Sequence, residues 1–211
     1  MPAKQAERGA LADSNIKDIT SKAIYTSRMN DLLVPPKVEI KFPQVNFQKL
    51  VYPRIQSKVL EVKQKDLLFS ITHGLYRNRA RLFLQNRTDD NICPNQACKR
   101  ENLVQDISHL FCTCYKVRAA WQWTRRKLLQ MLTFPGRPPD ISDSDFIMAM
   151  FPRSRHEDEC IFLVGTFVEL VDREVMSKEK DLLVNTVIGV LKARTEYARS
   201  RSVPQVNIPL P

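Results

Sequence analysis

Residues 93–114 read CPNQACKRENLVQDISHLFCTC, and this stretch holds four of the chain's five cysteines and one of its three histidines. A structural zinc ion needs four soft or borderline donors in a tetrahedron, commonly two from a tight turn and two from a helix or second turn. Cys93 and Cys98 are separated by four residues, with Pro94 and Asn95 as turn formers between them. His109 follows after ten residues and Cys114 after four more. On a helix the last two stand about 1.4 turns apart, so both can face one ion if the turn unwinds slightly. Cys93, Cys98, His109 and Cys114 are therefore the expected metal ligands. Cys112 is the alternative to Cys114, although the HLFC spacing directs it poorly onto the same point. The plain competing reading is a patch of small buried thiols beside a surface histidine.

Composition supports the metal reading. Hydrophobic residues make up 43% of the 211, and 13 prolines against 5 glycines imply rigid breaks between ordered segments. No run of about 18 apolar residues exists to span a membrane. The N-terminal MPAKQAERGALADSNIKD lacks the apolar stretch of a secretory signal, and Glu7, Asp13 and Asp18 argue against a mitochondrial presequence. An intracellular chain, nuclear or cytoplasmic, is expected. Thiols stay reduced there, and an odd five cysteines point to metal before disulfide.

Outward from the Cys/His stretch the pattern is helical. Leu67, Leu68, Ile71 and Leu75 fall at helix spacing, and Gly74 sits where such a helix would end in a left-handed turn. A short arginine-bearing helix is expected in YRNRARLFLQNR. A longer one, from about Lys116 to Thr133, carries an inward stripe of Val117, Ala120, Trp121, Thr124, Leu128 and Leu132, with Trp123 on the far side among lysines. Pro43 and Pro53 bracket a short amphipathic piece, and Ser144 is expected to cap a helix through Met150. CIFLVGTFVELVDREVM and KDLLVNTVIGVLKARTEYARS read as two helices divided near Ser177, the first apolar on nearly every side. The expected organisation is a flexible leader over 1–19, a helical connector over 20–60 and a zinc-binding helical core over 61–134. A proline-rich linker over 135–143, C-terminal helices over 144–200 and an extended tail over 201–211 follow. The fold class is mainly α, with a central irregular CCHC zinc-binding loop.

The succession KDLLFSITHGLYRNRARLFLQNR, CPNQAC, DISHLFCTC and VRAAW resembles the zinc-binding region near the C-terminus of non-LTR retrotransposon reverse transcriptases. In that family a helix ending in His-Gly leads to an Arg-rich helix, a Cys pair, a His-Leu-Phe...Cys motif and a Trp soon after. The matching residues are His73-Gly74, Arg77 to Arg81, Cys93 with Cys98, His109-Leu110-Phe111 with Cys114, and Trp121. A looser likeness reaches from about Ile19 to Arg194. The resemblance favours Cys114 over Cys112 and implies zinc and a role in holding RNA or DNA beside a polymerase. One departure is the Cys pair itself, which the family usually separates by two residues.

The polymerase is not recognisable. Asp89-Asp90 lies in a polar stretch without apolar β flanks, and His156 with Cys160 lacks a third orienting group. His73 reads as a packing or capping residue. A non-catalytic chain is expected. Its net charge of +10 favours phosphate-bearing partners, nucleic acid before membrane. Between Arg77 and Lys127, eleven Lys and Arg face four Asp and Glu. The residues expected on nucleic acid are Arg77, Arg79, Arg81, Lys99, Arg100, Lys116, Arg118, Arg125 and Lys127, with Trp123 stacking on an unpaired base. Two other outcomes stand beside this one: a zinc-stabilised helical module that docks a protein through its C-terminal helices, and an element remnant with no selected function.

Overall fold

The structure, a computed structural model, describes residues 44–132, 141–176, 178, 180–200 and 208, all within the compact unit Lys37–Pro211. The expected leader, the expected connector as far as residue 43, the proline-rich 133–140, Ser177 and nearly all of the tail lie outside the described residues.

The chain is mainly α-helical. Asn46 accepts the Lys49 amide at 2.9 Å and starts a π-helical turn, Phe47–Val51, that runs directly into α1 (Tyr52–Ile55). Pro53 does not close this piece as expected. It sits in the first turn of α1, where its missing N–H would have had no helical partner. α2 spans Val62–Thr72, with Leu68 and Ile71 buried. Gly74 then takes φ +64°, as its position predicts. Leu75, expected on the inward stripe, follows that reversal, is out of phase with the helix and stands exposed.

Asn78 caps α3 (Arg79–Leu84) by accepting the Arg81 amide at 2.9 Å. α4 is Gln96–Arg100, and a second π-helical turn covers His109–Thr113. α5, Arg118–Met131, buries Ala120, Trp121, Thr124 and Leu128, the predicted stripe. α6 is Asp143–Ile147. Its cap is Ser142 and not Ser144, because Ser142 and Asp145 bond reciprocally: each side chain accepts the other's backbone amide, at 3.1 and 2.9 Å. Ala149, at φ +57°, turns the chain out of that helix before Pro152.

α7 (Glu157–Leu170) is the central element, with every residue from Cys160 to Leu170 buried. A π-helical segment, Val171–Met176, extends it, and α8 runs from Val184 to Ser200. α7 packs against α2, α5, α6 and α8, so the apolar surface of the expected C-terminal helices completes the core formed with α2 and α5. Gly165 allows the closest of these approaches. A Cβ there would stand 2.5 Å from Leu60 Cδ2. Gly165→Ala must push the buried Leu60 side chain aside, an overpacking cost of about 1–3 kcal/mol against about 1 kcal/mol gained in helix propensity, so a net loss of no more than about 2 kcal/mol is expected, readable as a shifted urea midpoint at unchanged slope. Beside this contact Gln64 Nε2 and Arg194 Nη2 both donate to the buried Glu169 carboxylate, at 3.1 and 2.7 Å.

Candidate metal centre

The loop between α3 and α4 is held by one antiparallel bridge, Ile92 with Val104. Around it the Cys93 amide donates to Leu103 O at 2.8 Å and the Gln105 amide to Asn91 O at 2.9 Å. Asn95 supplies the turn expected of it: its side-chain oxygen accepts the Ala97 and Cys98 amides at 3.0 and 3.3 Å, starting α4. The reversal after α4 falls on Asn102 at φ +52°, a conformation that Asn tolerates better than most residues. Cys93 and Cys98 are thereby turned toward each other.

The second half of the site depends on a wide turn. On an α-helix, positions five apart differ by about 140° in direction, so His109 and Cys114 would diverge. In the π-helical turn His109–Thr113 the Cys114 amide instead donates to His109 O at 2.7 Å, and the fifth residue returns over the first. Asp106 Oδ1 accepts the His109 amide at 2.7 Å and fixes where this turn begins. Leu110 and Phe111 anchor it in the core, Phe111 edge-on to Tyr76.

These two pieces bring Cys93, Cys98, His109 and Cys114 together, all buried, with one ligand atom from each within 4.8 Å of every other. Cys114 Sγ lies 3.9 Å from Cys93 Sγ and 3.8 Å from Cys98 Sγ. A zinc tetrahedron with Zn–S arms of about 2.3 Å has S···S edges of about 3.8 Å. His109 Nε2 is buried without a hydrogen-bond partner among the described residues, whereas Nδ1 is 3.2 Å from Thr113 Oγ1. One ring nitrogen is thus oriented by a hydroxyl and the other faces inward for a cation, the usual arrangement of a ligating histidine. The four residues could hold a metal ion. Cys112 is buried outside the set, and burial pushes its thiol up. The hydrogen bond shared with Cys114 draws the Cys93 thiol down to about 4, while the same bond pushes that of Cys114 up.

Thr113 and Gln105 escaped the sequence reading. Gln105 Nε2 lies 3.8 Å from Cys93 Sγ, and both residues orient ligands without belonging to a metal spacing pattern. Only the four-residue step from His109 to Thr113 hinted at a supporting role. Thr113→Val should weaken metal binding about tenfold, measured by competition with a chromogenic chelator, whereas Cys112→Ala should leave metal content unchanged.

The expected nucleic-acid residues divide by how the fold uses them. Arg77, Lys99, Arg100 and Arg118 are exposed, Arg118 lying over the Tyr115 ring. Arg79 pairs with Asp90 at 2.9 Å, Arg81 donates to Gly74 O, and Arg125 pairs with Asp143 at 2.8 Å. Lys116 and Lys127 are half-buried, and Trp123 packs partly against the core. Asp90 is tied to Arg79 and to the Ile92 amide, and the Arg79 bond holds its carboxyl below the usual range. Cys160 is fully buried, with its thiol pushed up to about 12 by desolvation. No protein-family model, curated protein or solved structure matches the chain.

Proposed function

We propose that the chain is a zinc-organised, non-catalytic nucleic-acid-binding module, similar in its central region to the zinc-binding region of non-LTR retrotransposon reverse transcriptases. The convergence of four buried donors on one point beside a basic surface carries this reading. Three thiolates and an imidazole suit zinc among the common cations, and four protein donors leave no open position for a substrate or activated water, so the ion is structural. Lys99 and Arg100 follow Cys98 directly, Arg77 lines one cleft with Cys93 and Cys114, and all three are exposed, where they neutralise phosphates in place of counterions.

A protein-binding module is the second reading, favoured by the exposed Leu75, Phe83, Leu84 and Val104. Metal analysis by plasma mass spectrometry should find about one zinc per chain. Binding to single-stranded RNA, followed by fluorescence anisotropy, should weaken steeply and log-linearly with salt. Affinity that ignores salt would overturn the nucleic-acid reading in favour of the second.

A further inference from the structure

Resting on the nucleic-acid reading, we infer that one unpaired nucleotide of a single strand seats in a cleft beside the metal centre, its phosphate held by Arg77. The cleft has a volume of about 350 Å³, and Cys93 and Cys114 form part of its wall. That size lies at the lower end of small-ligand sites and suits a single nucleotide. Leu82, Pro94, Val175 and Met176 give it an apolar lining.

Charge decides the occupant. Arg77, Arg79 and Lys116 line the cleft, and no carboxylate among the described residues does; Lys116 already has a partner of its own. Arg79 is engaged by Asp90, but no carboxylate among the described residues lies within ion-pair distance of Arg77. A second, open groove shares Arg77 and Leu82 with the cleft and continues past Arg81 to Arg87, again without a carboxylate among the described residues of its lining. A polyanion leaving the cleft therefore meets further cations at the next positions along the surface.

The cleft offers little base-edge code. Asn78 donates to Tyr76 O and accepts the Arg81 amide, while Gln105 accepts the Arg79 amide and points its nitrogen at Cys93. With both ends of these amides engaged, the base is held by apolar contact and the strand by its phosphates, so binding tolerates sequence. The α5 face, with Arg125 paired and Trp123 packed inward, is not the track.

The test uses the full chain purified with its metal, fluorescence anisotropy against short oligouridine and mixed-sequence RNA, and thiouridine crosslinking. Arg77→Glu should weaken binding about tenfold, with Arg77→Lys largely restoring it. An Arg126→Glu/Lys127→Glu variant of the α5 face should change affinity less than about twofold. Crosslinks should fall within residues 77–95 or 175–176. Salt-dependent binding lost in the α5 variant and kept in the Arg77→Glu variant would overturn the cleft while leaving the nucleic-acid reading intact. Failure of the unaltered chain to bind any strand at low salt would overturn both, and equal competition by an oligoglutamate peptide would overturn the choice of occupant.

Discussion

Stripping the metal with a chelator, or replacing Cys98 with serine, should unfold residues 91–117 and lower the thermal midpoint of the whole chain. Structural zinc contributes on the order of 10 kcal/mol in isolated zinc peptides, which is comparable to the entire stability of a typical domain, about 5–15 kcal/mol. Little else holds this segment: one β-bridge, the five-residue α4 and a single π-helical turn. Without an ion, the three buried thiols have only weak sulfur contacts to one another and to Gln105, and His109 Nε2 has no partner among the described residues. The loss spreads because Leu110 and Phe111 reach the core from the same turn that carries His109, and α5 begins four residues after Cys114. Hydrogen exchange at the Cys93, Leu103 and Gln105 amides should accelerate by orders of magnitude on chelation and recover when one equivalent of zinc is returned. Unchanged protection in the metal-free chain would show that backbone and packing alone hold the loop.

The four candidate ligands were legible because donor type and spacing carry the signal, and both the poor direction of the HLFC spacing and the resemblance set Cys114 ahead of Cys112. Residue spacing on an α-helix points His109 and Cys114 apart. The turn that reconciles them is π-helical and is fixed by Asp106 and the core anchors, which no periodicity announces. The stripe on α5 and the burial of α7 were readable because they repeat over several turns. Ser142 and not Ser144 is the cap because Ser142 and Asp145 exchange side-chain-to-amide bonds, a reciprocal pairing absent from the sequence reading. The basic surface was the least legible part. Sequence counts cations, but only the fold shows that Arg79 and Arg125 are engaged by carboxylates while Arg77 opens onto a cleft.

Trp121→Ala should destabilise the chain by about 3–5 kcal/mol, the range for deleting a large aromatic from a packed interior. Trp121 is the largest fully buried side chain and lies where three elements meet: its own α5, Phe146 of α6 with ring centroids 6.4 Å apart, and Phe167 of α7 at 5.2 Å. At this size of chain each kcal/mol moves the thermal midpoint by about 2–4 °C, so a fall of roughly 10 °C is expected. A second substitution separates packing from polar effects. The indole Nε1 is buried with no hydrogen-bond partner among the described residues, and an unpaired buried N–H costs about 1–3 kcal/mol. Trp121→Phe removes that group along with part of the ring, and the two changes oppose each other, so its loss should stay under about 1.5 kcal/mol. Urea melts of both variants in the metal-loaded protein read this directly. If phenylalanine proves as damaging as alanine, the N–H has a partner and the junction between the metal-bearing half and α7 is polar as well as packed. If alanine loses less than about 1 kcal/mol, α5 and α7 are not held together through this ring, and metal-induced order would have no route into the C-terminal helices by way of Trp121.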